Sequence, residues 1–282
     1  MLMESKAESR TRRNIALFVV LVIGLAALGG VIEPFTVPSG AEPGSAGLGQ
    51  ALWIVAPLAV MLLLRLFGGD GWADLGLQPN FNGNGFWWLV SILLFPIVVT
   101  VTVAVGLLLG GLGLDVNLSG GVSTSLWTLL ISSLVKNIFD EFAWRGYLAP
   151  KVYLLKKNIW LSHAFVGLVW GAWHLPFVYV FWPYLTPNML WYFIPMLLVG
   201  TISQSTVYGE IRLATGSVLP AWIMHTIGNT IGNFLLSNGI VHLRSGWELV
   251  VSPGAESVIS IIVMFAIGYW VHTRRVKAKG GA

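Results

Sequence analysis

Residues 126–147 read LWTLLISSLVKNIFDEFAWRGY, an apolar run that ends in two adjacent carboxylates, Asp140 and Glu141, and an arginine, Arg145. The run has the length of a membrane-spanning helix, because a hydrocarbon slab of roughly 30 Å asks for about 20 predominantly apolar residues. Ionisable groups near mid-bilayer cost on the order of 2.5 to 3.5 kcal/mol each on insertion scales. A cluster of them inside a span therefore calls for partners or for a task. Residues four apart share a helix face, so Lys136 meets Asp140 while Asn137, Glu141 and Arg145 form a neighbouring stripe.

The rest of the chain is built in the same style. It is 56% hydrophobic and 10% charged, where a soluble domain carries roughly 25% charged residues. The fold class read from this is an all-α membrane protein, a polytopic bundle of about eight transmembrane helices. The spans are expected at residues 14–32, 48–67, 86–109, 126–147, 159–180, 189–208, 216–236 and 254–272. The organisation is then a basic tail over 1–13, a single bundle over 14–272 with a motif core at 126–236, and a basic tail over 273–282. The first span is longer than the 7 to 15 residues of a signal-peptide core and no A-x-A site follows it, so it is read as a retained helix. Pro34, Pro38 and Pro43 mark the next loop and Pro183 and Pro187 a later one.

Loops that stay in the cytoplasm carry an excess of Lys and Arg. With eight spans and a cytoplasmic N-terminus, Lys6, Arg10, Arg12, Arg13, Arg65, Lys151, Lys156, Lys157, Arg212, Arg274, Arg275, Lys277 and Lys279 fall inside and Arg244 falls outside. The partition predicts cytoplasmic N- and C-termini. It also explains the net charge of +4 without a nucleic-acid partner. The chain has no cysteine, which removes disulfides, thiol nucleophiles and cysteine-based metal sites. Internal repeats and low-complexity tracts are absent. No serine stands in a nucleophile motif such as G-x-S-x-G, and two separated intramembrane aspartates are missing too.

Two further spans carry chemistry. The fifth contains Trp170 and, four residues on, His174; the seventh carries His225, Asn229 and Asn233 at spacings of four, a polar stripe down one face. A lone histidine is commonly a satisfied core residue, and asparagine in a membrane helix is often interhelical glue worth about 1 kcal/mol. Taken together, carboxylates, histidines, an asparagine and an arginine on three spans point to one polar cavity. Gly167 and Gly171, and likewise Gly228 and Gly232, have the small-xxx-small spacing that lets helices approach closely beside these groups. The remaining histidines, His163, His242 and His272, are expected at interfaces or in solvent.

Three ordered motifs, Asp140-Glu141-xxx-Arg145, Trp170-xxx-His174 and His225-xxx-Asn229, resemble those of the CAAX prenyl endopeptidase and bacteriocin-processing intramembrane proteases, the CPBP or Abi family. The resemblance covers residues 126–236, with a weaker likeness of residues 72–79 to the family's connector. It implies an eight-helix bundle that cleaves peptide bonds within or beside the membrane. It implies further that Asp140 and His174 activate water, that His225 and Asn229 stabilise the oxyanion, and that Arg145 orients Glu141. The chain departs from the family pattern at Trp170, where phenylalanine is usual, and at Asp140, where the first glutamate is usual. Aspartate has the same acid chemistry on a side chain one methylene shorter.

The expected activity is thus an intramembrane endopeptidase of the CAAX-processing type. Its partners are membrane lipid and a hydrophobic or lipid-modified peptide, and its location is the cell membrane with multiple passes. Glu141, His174 and His225 would also make a zinc set of two histidines and a glutamate with an open fourth position. With no HExxH motif and ligands from three helices, the reading favours chemistry without a metal. The alternative from another class is a non-catalytic scaffold, immunity or transport protein using the same groups structurally.

Overall fold

The computed structural model describes residues 2–39, 46–115, 122–155, 158–181 and 185–280. Pro43, Pro183, Lys156 and Lys157 lie outside the described residues. The long helices are α1 (Leu2–Thr36), α2 (Leu48–Phe67), α3 (Gly85–Leu108), α4 (Val122–Ala143), α6 (Ile159–His174), α8 (Leu190–Thr215), α9 (Leu219–Ser237) and α11 (Val258–Gly280). Shorter pieces are α5 (Ala149–Leu155), α7 (Val178–Phe181) and α10 (Glu248–Val251).

Among the described residues, six stretches are long and apolar enough to cross a membrane: Lys6–Thr36, Leu48–Phe67, Gly85–Leu108, Val122–Leu155, Ile159–Val180 and Pro187–Thr215. The expected count of eight stands at six on this measure. Helices α9 and α11 are long enough but too polar, α9 because of His225, Asn229, Asn233 and its threonines, α11 because of the basic residues at its end. Other boundaries move outward. The segment expected as a basic N-terminal tail is helical from Leu2, with Arg12 donating to Glu8 one turn back. Helix α11 likewise continues into the expected C-terminal tail.

The long helices close a circuit in which α1 packs on α2, α2 on α4, α4 on α9, α9 on α3, α3 on α11, α11 on α8, α8 on α6 and α6 back on α1. Glycine permits one of these approaches at its tightest. A Cβ on Gly167 of α6 would sit 2.5 Å from the Cα of Ile202 on α8, so only glycine fits there. The expectation for α9 holds in part, since Gly228 faces the Phe95 ring while Gly232 meets nothing within 4 Å.

Two features were not expected from the sequence. Strands β1 (Leu112–Leu114) and β2 (Val241–Leu243) pair antiparallel and tie the loop after α3 to the loop after α9. Within the motif helix, residues Trp144–Leu148 form a π-turn between α4 and α5. Single π-turns inside α-helices are found frequently at functional sites. At the end of α6, Pro176 lacks an N–H and cannot continue an α-helix, so Leu175–Phe177 tighten into a 3-10 turn and His174 becomes the last α-helical residue.

Candidate active site

Helix α4 brings Asp140 and Glu141 into the centre of the circuit, where both are 0% exposed. The two carboxylates leave the helix in different directions, as their adjacent positions require, and meet different partners. Lys136 reaches Asp140 Oδ2 at 3.3 Å across one turn, and Arg145 Nη1 donates to Glu141 Oε1 at 3.0 Å across the next. These are the i,i+4 pairs that the spacing predicts.

Arg145 is fully buried and packed between two aromatic faces, with its Cζ 4.3 Å from the Trp170 ring of α6 and 4.3 Å from the Tyr208 ring of α8. A desolvated guanidinium gains about 2 kcal/mol or more from such a face. This offsets the fact that its Nε and Nη2 have no hydrogen-bond partner. The π-turn that carries Arg145 is itself held from outside. Arg65 Nη2 of α2 donates to the Gly146 carbonyl at 2.7 Å, and Arg212 Nε of α8 donates to the Arg145 carbonyl at 3.2 Å. Both arginines were expected on the cytoplasmic side; they are buried at 3% and 9% exposure, where the backbone groups of the widened turn need donors.

The histidines approach from the neighbouring helices. His225 Nδ1 of α9 donates to Glu141 Oε1 at 2.8 Å, the oxygen that Arg145 also binds. His174 Nδ1 donates to the Trp170 carbonyl at 2.8 Å, which leaves the ring's lone pair on Nε2. Both imidazoles pack edge-on against the Trp170 indole, with centroids 5.8 Å from His174 and 5.5 Å from His225. Asn229 Nδ2 donates to Asn137 Oδ1 at 3.1 Å. Glu141, Arg145, His174 and His225 are thus joined around Trp170, Asp140 pairs beside them with Lys136 and Asn229 with Asn137 of the same helix α4, whereas Asn233, third in the stripe of α9, is exposed.

Sequence reasoning missed two walls of this cluster. Trp53 of α2 stacks on Trp173 at 4.0 Å, and each indole N–H donates to the other residue's carbonyl, at 2.8 and 3.2 Å. The Trp53 ring also lies 5.9 Å from the His174 ring and 5.5 Å from Lys136 Nζ. A tryptophan in an apolar run carries no signal of this. Tyr208 is the second; its signal is a hydroxyl in a span already counted as membrane-embedded.

The cluster is hydrogen-bonded incompletely. Asp140 Oδ1, Glu141 Oε2, Asn137 Nδ2 and Tyr208 Oη are buried with no partner. Buried polar atoms are paired in the large majority of cases. With Arg145 Nε and Nη2, these exceptions gather on facing helices of the cluster.

Residues 122–231 match the Rce1-like family of type II CAAX prenyl endopeptidases. The Rce1-like match spans all three motifs and runs from the start of α4 to the last turns of α9. None of the curated proteins matches the chain. The helical content and the six apolar spans describe a multi-pass membrane protein, of which residues 122–231 are similar to the Rce1-like family.

The zinc set does not fit this geometry. Among the described residues, no three His, Asp or Glu side chains come together in a group able to hold a metal ion. Glu141 Oε1 is taken by His225 Nδ1 and Arg145 Nη1, so the glutamate of the set bonds to one of its intended co-ligands instead of sharing a centre with it.

A second correction concerns His163 and His272, which were expected at interfaces or in solvent. His163 is 1% exposed, and both rings bind Glu210 Oε1 of α8, at 2.9 and 3.0 Å. His242 lies exposed on β2.

Proposed function

We propose that the protein is an intramembrane endopeptidase that hydrolyses a peptide bond in a lipid-modified, CAAX-type peptide. The observation that carries the reading is the convergence of Arg145, His174 and His225 on the Trp170 ring, with Glu141 bonded to both Arg145 and His225, inside the stretch that matches the Rce1-like family. In the proposed chemistry, water sits between Asp140 Oδ1 and His174 Nε2. Asp140 takes its proton as the oxygen attacks the scissile carbonyl carbon. The resulting tetrahedral oxyanion is stabilised from α9 by Asn229, whose Nδ2 has a second hydrogen beyond the one given to Asn137. The C–N bond then breaks and the proton passes to the leaving amine. Glu141 and Arg145 hold His225 and the π-turn in register.

Aspartate at position 140 is compatible with this role. Lys136 draws on one oxygen of the carboxylate, and the other is buried without a partner. We take α9 and α11 as further spans, giving eight with both termini in the cytoplasm; the polar face of α9 is turned to the site, which removes the cost that its composition implies. The substrate's lipid would enter from the bilayer, since the chain's exposed surface is rich in large apolar side chains.

A structural reading has one observation in its favour, the mutual pairing of Lys136 with Asp140 and of Arg145 and His225 with Glu141. The test uses the purified full chain in phospholipid vesicles with a farnesylated peptide ending in a CAAX sequence. Wild type is expected to release the terminal tripeptide, while His174→Ala and Asn229→Ala keep the wild-type unfolding midpoint and release none. Variants that all unfold, with no cleavage by wild type, support the structural reading instead.

A further inference from the structure

Tyr208 lies in none of the three motifs, yet it forms a wall of the cluster. It is 0% exposed, its ring stands edge-on to His225 at 5.8 Å and to Trp170 at 5.9 Å, and its face carries the Arg145 guanidinium. Its hydroxyl has no hydrogen-bond partner. An aromatic needed solely to stack on Arg145 and fill space would do so equally well as phenylalanine, without leaving a buried donor unpaired.

The donor arithmetic of the site gives the hydroxyl a task. His225 donates through Nδ1 to Glu141, and in an uncharged imidazole the other nitrogen, Nε2, then holds a lone pair and has no hydrogen to give. The position in α9 that should supply an oxyanion donor is therefore an acceptor. Asn229 has one hydrogen left after its bond to Asn137. A tetrahedral intermediate is held by preorganised donors, and Tyr208, whose ring stands 5.8 Å from that of His225, has an unpaired O–H on a ring that also packs against Trp170 and Arg145.

We propose that Tyr208 is a further catalytic residue, donating its hydroxyl hydrogen to the oxyanion beside Asn229. The hydroxyl acts as a hydrogen-bond donor and keeps its proton, so no bond of Tyr208 is made or broken. This inference rests on the endopeptidase reading.

Tyr208→Phe is the test, because it removes one oxygen and leaves the ring and its stacking on Arg145. With the full chain in vesicles and the farnesylated CAAX peptide, kcat is expected to fall by about 10² to 10³ with KM changed less than about threefold. The unfolding midpoint should stay at the wild-type value or rise, since an unsatisfied hydroxyl has gone. A Tyr208→Phe variant that cleaves within about twofold of wild type overturns the inference and leaves the endopeptidase reading intact. A wild-type protein that cleaves no such peptide overturns both.

Discussion

Two buried clusters of this molecule contain a glutamate at 0% exposure with histidine and arginine around it, and they differ in how fully they are bonded. Around Glu210, Oε1 binds His163 at 2.9 Å and His272 at 3.0 Å, and Arg275 Nε reaches Oε2 at 2.6 Å. Both oxygens are taken, and α6, α8 and α11 are stapled together by one side chain. Around Glu141, Oε1 carries both partners while Oε2 has none, and Asp140 Oδ1, Asn137 Nδ2 and Tyr208 Oη are also unpaired. A saturated network fixes structure. An unsaturated one, equally buried, leaves acceptors and donors without partners inside the protein, which is what the proposed function would use.

That contrast can be broken by substitution. The largest effect is expected for Asp140→Asn, which removes the proposed base: turnover of the farnesylated peptide should fall by about 10² to 10⁴, while the unfolding midpoint in detergent stays near wild type. Next is Glu210→Ala, with the reverse pattern. It leaves His163 and Arg275 without their carboxylate, and removing one partner of a buried ion pair costs about 3 to 5 kcal/mol. A denaturation series should show that loss, with turnover per folded molecule retained.

The connector beside the site offers a smaller effect that depends on pH. Burial pushes the Asp74 carboxyl up, but its bonds with Arg65 and Lys151 outweigh this and hold it below its ordinary value near 3.8. Its contribution is therefore present above about pH 4 and fades as pH falls through the lowered folded value. Asp74 is 26% exposed and screened accordingly, so the effect is less than about 1 kcal/mol. Comparing the acid unfolding curves of wild type and Asp74→Asn measures it. The smallest effect is expected for Trp170→Phe. The indole N–H has no partner to lose, and phenylalanine keeps a face for Arg145, so turnover should remain within about tenfold and stability within about 1 kcal/mol.

Much of the site was legible because its chemistry is arranged locally. Lys136 with Asp140 and Glu141 with Arg145 follow from one helical turn, and the His225 to Asn229 spacing marks one face of α9. What joins α4 to α9, the bond from His225 to Glu141, is long-range and could be inferred only from the improbability of so many polar groups in spans. The π-turn was not legible, since WRGYL has no composition that distinguishes it from α-helix. Nor was the Glu210 staple, whose partners come from residues 163, 272 and 275 on two other helices. The Lys and Arg count was silent in one respect: Arg65, Lys151 and Arg212 are buried against carbonyls and carboxylates of the connector and the π-turn, contacts that a count of charges per loop does not contain.

The most direct measurement compares turnover per folded molecule for Glu141→Gln and Glu210→Gln against wild type, on the farnesylated CAAX peptide in vesicles. Each variant neutralises one buried glutamate without changing its size. The account predicts that Glu141→Gln loses at least about a hundredfold, because His225 and Arg145 lose the negative charge they share, and that Glu210→Gln stays within about threefold of wild type. Equal losses in the two variants, or a Glu141→Gln protein that cleaves as wild type does, would contradict it.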